Sequence, residues 1–120
     1  MKKTNPTPFE TKSFAALDRA YELISALAPL VTAVARRDRA LASQLRRAAS
    51  SIPLNLAEGW ALEAGNKKTR YLSALGSARE VAAVLEVARR WGYISGAKAS
   101  SALELLDRVS AMTYRLIHPR

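Results

Sequence analysis

The chain of 120 residues contains no cysteine and only one histidine, His118, which lies near its C-terminus. Without a thiol it cannot form a disulfide bond, a thiolate metal site or a cysteine nucleophile. A single histidine in a C-terminal tail does not supply the ligands of a catalytic zinc ion, and it is not placed to act as the base of a serine triad. We therefore expect no metal, no cofactor and no catalytic residue.

Long apolar segments are also missing. The best apolar run, residues 81–88, is interrupted by Glu86, whereas a membrane-spanning helix needs about 18 unbroken apolar residues. The basic start Met1-Lys2-Lys3 is not followed by the apolar stretch of a signal peptide. These absences predict a soluble, cytoplasmic protein that has no membrane partner.

Motifs of enzymes are missing as well, because the chain has neither a glycine-rich phosphate loop nor a dinucleotide-binding fingerprint. Its carboxylate pairs, such as Glu58 with Glu63 and Glu80 with Glu86, have spacings that solvated helix charges explain. An enzymatic role would require a buried pair such as Glu58 with Glu80, without a cationic partner. The sequence predicts a protein that is not an enzyme.

Positive charge is what the chain has in excess. Its formal net charge is +9, a surplus that favours polyanionic partners such as RNA, DNA, an acidic protein or an anionic lipid surface. The clustered basic residues that are candidates for nucleic-acid binding are Arg36, Arg37, Arg39, Arg46, Arg47, Lys67, Lys68 and Arg70. The alternative is a solvated surface on which the stems of these side chains lie against the protein.

Aromatic residues are few, and three of them, Tyr21, Trp60 and Trp91, fall on or near apolar stripes. This placement favours core packing or an oligomer interface over base stacking. Recognition of single strands usually adds aromatic platforms to a basic groove. We therefore expect nucleic acid to be held through its backbone, with little discrimination between sequences.

Apolar residues recur at spacings of three and four in four segments, which is the period of an amphipathic helix. The stripes run from Phe14 to Val34, from Leu41 to Trp60, from Leu72 to Ala88 and from Ala99 to Leu116. Short links between them favour antiparallel neighbours. The predicted fold is all-α, an up-down antiparallel four-helix bundle over residues 13–118, preceded by a flexible N-terminal arm over residues 1–12.

Polar residues and glycines predict where the helices begin and end. Ser13, Asn66 and Ser95 are predicted N-caps, because their side chains can accept a bond from a free helical amide. Asn66 would follow a turn at residues 63–66. Gly92 is predicted to end the third helix, since glycine tolerates left-handed backbone geometry.

Two prolines, Pro29 and Pro53, fall inside the first two stripes. A proline removes one backbone donor and crowds the preceding turn. Proline-kinked helices are therefore expected, and around Pro53 either one kinked helix or two short helices would fit the pattern.

One segment of the second stripe is far more specific than these patterns. Residues 43–59 have the sequence SQLRRAASSIPLNLAEG, which closely resembles the signature of a bacterial four-helix bundle family catalogued as 23S ribosomal RNA intervening-sequence proteins. The accessory variability proteins of diversity-generating retroelements are similar to this family. Further matches, over a resemblance that covers roughly residues 9–117, are Lys67-Lys68, Tyr71-Leu72, Ser77, Glu80 and Gly92-Tyr93.

The resemblance implies an up-down four-helix bundle that assembles as a ring-like homopentamer. In the retroelement branch it also implies a basic surface that binds nucleic acid and a reverse transcriptase. The other branch is named for the position of its reading frame within an rRNA insertion, and no activity follows from that position.

Four residues of this motif, Pro53, Asn55, Glu58 and Gly59, are expected to act structurally. Asn55 and Glu58 are three residues apart and share a helical face, so they could satisfy backbone groups freed by the proline or pair with arginines. The arginines considered for such pairs are Arg46, Arg47 and Arg79. Gly59 would allow close approach of a helix or subunit, and direct contact of the motif with a ligand is the alternative.

Two functional hypotheses of different kinds follow. The first is a non-enzymatic, homo-oligomeric helical bundle that binds nucleic acid through backbone contacts of its basic surface. The second is a protein–protein assembly or adaptor module, for example a partner of a reverse transcriptase, with no direct role in binding nucleic acid.

Overall fold

The computed structural model describes residues 14–62 and 64–119. Within them the chain forms four α-helices: α1 (Ala15–Ala35), α2 (Arg39–Trp60), α3 (Ala64–Arg90) and α4 (Gly96–Ile117). Each helix packs against its neighbours in the chain, and α4 closes the ring against α1. The predicted all-α four-helix bundle is confirmed. The arm over residues 1–12 and the cap at Ser13 lie outside the described residues, and the domain boundaries stay predictions.

Leucine, isoleucine and valine side chains from all four helices fill the centre of the bundle. Burial of each such side chain stabilises the fold by about 1.5–3 kcal/mol relative to exposure. Buried alanines, which allow the helix backbones to approach closely, surround them. The buried alanines are Ala16, Ala20, Ala42, Ala48, Ala49, Ala74, Ala78, Ala88, Ala99 and Ala102.

Both prolines are accommodated within continuous helices. Pro29 is exposed on the outer face of α1, and Pro53 is buried within α2. The alternative of two short helices around Pro53 is therefore wrong. The missing N–H of Pro53 leaves the carbonyl of Ala49 without its usual helical donor, and the bend expected at each proline stays a prediction.

Capping residues hold the helix ends at the top of the bundle, where α1 joins α2 and α3 joins α4. The Asp38 carboxylate accepts a hydrogen bond from the Leu41 amide at 2.9 Å, so α2 begins after a link of residues 36–38. Ser95 Oγ accepts from the Lys98 amide at 3.2 Å, which confirms its predicted role. Gly92 has a φ of +79°, as expected of the residue that ends α3.

The turn expected at residues 63–66 and the N-cap expected at Asn66 are wrong, because α3 already begins at Ala64 and contains Asn66 in its first turn. Glu63 lies outside the described residues. Glycine and asparagine favour turns in general. The amides of a first helical turn have no partners within the helix, so Gly65 and Asn66 are tolerated there.

The core of the third helix differs from the predicted stripe. Tyr71 is buried, whereas Leu72 is 50% exposed. The apolar periodicity of this helix is weak, so the predicted stripe is one residue too late at Leu72 and Leu75. Further along the helix Ala78, Leu85 and Ala88 are buried as predicted. Tyr21 and Trp91 are also exposed, so core packing is wrong for these two residues, whereas the ring of Trp60, which is 42% exposed, stacks on the buried ring of Phe14. The alternative of an oligomer interface stays a prediction for all three.

A close contact between α2 and α3 surrounds Gly59, which is buried near the end of α2. A Cβ atom at this position would lie 2.7 Å from Cε1 of Tyr71 and 3.2 Å from Cβ of Arg70. The Tyr71 ring is itself buried and packs against Phe14 at a centroid distance of 6.2 Å. The same burial raises the pKa of Tyr71. The ring therefore has little room to move, and the position requires glycine.

This contact predicts opposite effects for two glycine-to-alanine substitutions. Gly59→Ala should lower the free energy of unfolding by about 1–2 kcal/mol, because overpacking a filled site outweighs the better helix propensity of alanine. Gly76→Ala is the matched control, since a Cβ atom there meets nothing within 4 Å. It should raise the free energy of unfolding by up to about 1 kcal/mol. Urea denaturation followed by circular dichroism measures both, and equal effects at the two sites would contradict the assignment.

Candidate nucleic-acid interface

An open groove of about 400 Å³ runs along the surface between α2 and α3. Its wall from α2 carries two exposed guanidinium groups, Arg46 and Arg47, and Arg70 lines it from α3. Glu58 is the single carboxylate among its lining residues. The groove therefore presents a surplus of positive charge. The remaining lining residues are Ser50, Ser51, Leu54 and Asn55.

The floor of the groove is a hydrogen-bonded cluster centred on Ser51. Asn55 Nδ2 donates to the Ser51 carbonyl at 2.8 Å and to Ser51 Oγ at 2.9 Å. Ser77 Oγ of α3 donates to Ser51 Oγ at 2.8 Å. The cluster satisfies half-buried polar groups beside Pro53 and joins the two helices. Its polar bonds hold the arginine-bearing segment of α2 in a defined position against α3.

Glu58 pairs across the groove with Arg70, whose Nη2 lies 3.3 Å from Glu58 Oε1. The expectation that it would pair with Arg46, Arg47 or Arg79 is therefore wrong. Both side chains are about half exposed, and such surface pairs contribute about 0–1 kcal/mol. Glu80 is exposed as well, so the buried Glu58–Glu80 pair that an enzymatic role would require is not formed.

Two further basic residues of the predicted set lie over aromatic rings. The Arg37 guanidinium is 5.4 Å from the centroid of the Tyr93 ring. Lys67 Nζ is 5.9 Å from the centroid of the Trp60 ring. Contacts of this kind contribute about 0.5–1 kcal/mol at exposed sites. These two cations, like Arg70, already have a partner within the protein.

The other members of the predicted set are exposed and unpaired. Within the residues that the structure describes, none of them forms an ion pair. They are Arg36, Arg39, Arg46, Arg47 and Lys68. The structure thus distributes the predicted set along the bundle, with Arg36, Arg37 and Arg39 at the top, Arg46, Arg47 and Arg70 at the groove, and Lys67 and Lys68 at the other end.

The sequence did not single out Ser51 and Ser77 as a pair. Ser77 is a match to the family pattern and Ser51 lies within the motif of residues 43–59, and neither fact links the two side chains. The two residues are 26 positions apart, and no spacing rule within one helix connects them. The sequence does not predict the contacts of Arg37, Lys67 and Glu58 for the same reason, because their partners lie in other helices or links.

Neither a metal cluster nor a membrane span is present in the described part of the chain. Among these residues no group of three or more histidine, aspartate or glutamate side chains could hold a metal ion. None of the helices that they form is long and apolar enough to cross a membrane.

Comparison with known proteins shows the family of this chain. A sequence model of the 23S rRNA-intervening sequence proteins matches residues 12–115. The chain belongs to this family. The resemblance carried by residues 43–59, which form most of α2, is thereby confirmed. No curated protein sequence matches this member of the intervening-sequence family significantly.

Three chains of solved structures match this intervening-sequence protein. One is the crystal structure, at 1.70 Å resolution, of a protein with unknown function from the S23 ribosomal protein family of Bacteroides thetaiotaomicron VPI-5482. The two share 19% sequence identity with a TM-score of 0.79, over 85% of this chain and 97% of that chain. At this identity the likeness shows the fold. Neither the family description nor that of the structure names an enzymatic activity.

The hydrogen bond between Ser51 and Ser77 predicts energetic coupling between α2 and α3. In a double-mutant cycle, Ser51→Ala and Ser77→Ala should show a coupling energy of about 0.5–1.5 kcal/mol, the usual net contribution of one hydrogen bond. Urea denaturation measures the free energy of unfolding of the unmodified protein, the two single variants and the double variant. Ser73→Ala, at an exposed position of α3, is the control and should show no coupling to Ser51→Ala. Additive effects of the Ser51 and Ser77 substitutions would disprove the contact.

Proposed function

We propose that this intervening-sequence family member is a non-enzymatic, self-associating helical bundle that binds the phosphates of nucleic acid through the groove between α2 and α3. The observation that carries the proposal is the pair Arg46 and Arg47. Both guanidinium groups are exposed at the rim of the groove and form no ion pair within the described residues. Exposed cations that lack an internal partner are free to replace the counterions of a phosphate backbone.

The geometry of α2 suits an extended polyanion. Arg39 and Arg46 are seven residues apart on one helix, so they lie on nearly the same face and are separated by a rise of about 10 Å. Lys68 continues the set at the far end, on the neighbouring helix. Cations repeated along a helix at this spacing fit a backbone that carries a charge at every nucleotide, better than they fit a compact anion.

The floor of the groove favours contact with the backbone over sequence discrimination. Both bonds of the Asn55 amide group go to Ser51, so these N–H donors are not available to a base edge. Phosphate contacts fix position but carry no sequence information. The proposal therefore expects binding to RNA or DNA with little sequence preference. A cytoplasmic location, as expected from the sequence, is part of the proposal, because RNA and DNA are accessible there.

Self-association is the second part of the proposal, with a homopentamer as the resemblance implies. Large apolar side chains on the outer surface and outside the groove support it, including Leu72, which is 50% exposed, and Val87, which is 42% exposed. The same side chains favour the second candidate function, an assembly or adaptor module for a protein partner such as a reverse transcriptase. Sedimentation velocity of the purified chain tests self-association, and a monomer at all concentrations would contradict it.

Neutral substitutions in the groove should weaken nucleic-acid binding in a defined way. The double variant Arg46→Gln with Arg47→Gln should reduce the slope of log K against log salt by about 2, since each lost phosphate contact reduces it by about 1. Fluorescence anisotropy with labelled structured RNA and duplex DNA across a salt series measures the slope.

The matched control for this variant changes the same charge on the opposite helix of the ring. Arg108→Gln with Arg115→Gln alters two exposed arginines of α4 and should leave the slope nearly unchanged. Equal losses from both double variants would mean that net charge alone drives binding. Absence of binding by the unmodified protein at low salt would remove the nucleic-acid role and favour the adaptor function.

A further inference from the structure

The top of the bundle holds a second concentration of positive charge. We call this surface the basic end, and it consists of Arg36, Arg37, Arg39, Arg89 and Arg90. Its acidic residues are both engaged, because Asp38 caps α2 and Glu86 accepts hydrogen bonds from two arginines. The bonds from Arg89 and Arg90 lower the pKa of Glu86 to about 2. Glu86 is therefore ionised at physiological pH, and the five arginines of the basic end still outnumber these two carboxylates.

The exposed indole ring of Trp91 lies at this end. Trp91 is 67% exposed, although tryptophan is an amphipathic side chain that usually buries most of its surface. Its ring lies nearly parallel to that of Tyr93, with an interplanar angle of 19° and a centroid distance of 6.5 Å. The Arg37 guanidinium in turn lies over the Tyr93 ring. Tyr93 thus connects the exposed indole to the basic link between α1 and α2.

The backbone holds this indole in place. After Trp91 the chain turns at Gly92, whose φ is +79°. The Gly92 amide donates to the Arg89 carbonyl and the Tyr93 amide donates to the Ala88 carbonyl, each at 2.9 Å. These two bonds close the end of α3 in the pattern typical of a glycine-terminated helix. The backbone that carries the indole is therefore a fixed turn.

The other tryptophan has a different environment. Trp60 stacks on the buried ring of Phe14 at a centroid distance of 4.6 Å. Its contact with the core accounts for its position at the end of α2. Trp91 has no such contact with a buried ring among the described residues, and its ring stack is with half-buried Tyr93 alone. Packing of the monomer therefore does not explain why an indole stands there.

We propose that Trp91 is a stacking platform for an unpaired base of a single-stranded nucleic acid, whose neighbouring phosphates contact Arg36 and Arg39. The proposal rests on the nucleic-acid binding proposed above and adds a base contact to it. An aromatic face beside free cations is the combination that binds single strands with little sequence preference. The bases of a duplex are already stacked within it, so this contact gives a preference for single strands over duplexes.

The test compares Trp91→Ala with the unmodified protein. The probes are a labelled 15-nucleotide oligothymidylate, an oligouridylate of the same length and a 15-base-pair DNA duplex, each measured by fluorescence anisotropy. Trp91→Ala should weaken binding to both single strands about tenfold, because a stacked base contributes about 1–3 kcal/mol. Its affinity for the duplex and its salt slope should not change. The two single strands show whether DNA or RNA is preferred.

Two variants control for indirect effects. Trp91→Phe keeps an aromatic face and should retain most of the affinity for single strands. Tyr114→Ala removes a different exposed aromatic side chain, 56% exposed near the end of α4 and away from the basic end, and should have no effect. As an independent measurement, Trp60→Phe leaves Trp91 as the single indole of the chain. Its fluorescence should then be quenched when oligothymidylate is added.

The outcomes separate this inference from the function on which it rests. If Trp91→Ala leaves the affinity for single strands unchanged while the unmodified protein binds all three probes, the stacking platform is wrong and the phosphate-binding role stands. If the unmodified protein binds none of them, both proposals fail. If Trp91→Ala dissociates the oligomer in sedimentation velocity without a specific loss of single-strand affinity, Trp91 is an interface residue and the inference is overturned.

Discussion

The close approach of α2 to α3 is the constraint on which the other features depend. Gly59 lets the Tyr71 ring lie against the backbone of α2, and Ser51 and Ser77 meet in a hydrogen bond between the same helices. Packed interiors transmit small changes in side-chain volume, so a larger residue at either place would separate the helices. The groove exists because these contacts fix its two walls. The family motif of residues 43–59 therefore encodes a helix contact first and a surface second.

Much of this fold could be predicted from the sequence, because three helices with a clear apolar period and a fourth with a weaker one, joined by short links, leave few arrangements. The errors fall where the physical signal is weak. In α3, small residues occur on every face, so the stripe was assigned to Leu72 although Tyr71 enters the core. The turn expected at Gly65-Asn66 is wrong because the first turn of a helix tolerates residues that would disrupt its interior.

The positive charge of the candidate site could be predicted from the sequence, whereas the partners of its basic side chains could not. Clusters of basic residues are visible in a sequence, whereas the partners of Arg37, Lys67 and Arg70 belong to other helices or links. Spacing within one helix predicts contacts three and four residues apart, and it gives no information about contacts between helices. The exposure of Trp91 could not be predicted for a related reason. A tryptophan that ends an apolar stripe has the same pattern whether it faces the core or the solvent.

Self-association and nucleic-acid binding would reinforce one another in a protein of this kind. An exposed contact between one cation and a single phosphate is weak in salt. When several protomers are joined, the second contact with the same strand becomes intramolecular, and the overall affinity rises without any new kind of contact. A rigid bundle suits this arrangement because it fixes the distances between sites. The apolar outer residues such as Leu72 and the cations of the groove would then have complementary roles, the former joining protomers and the latter holding the strand.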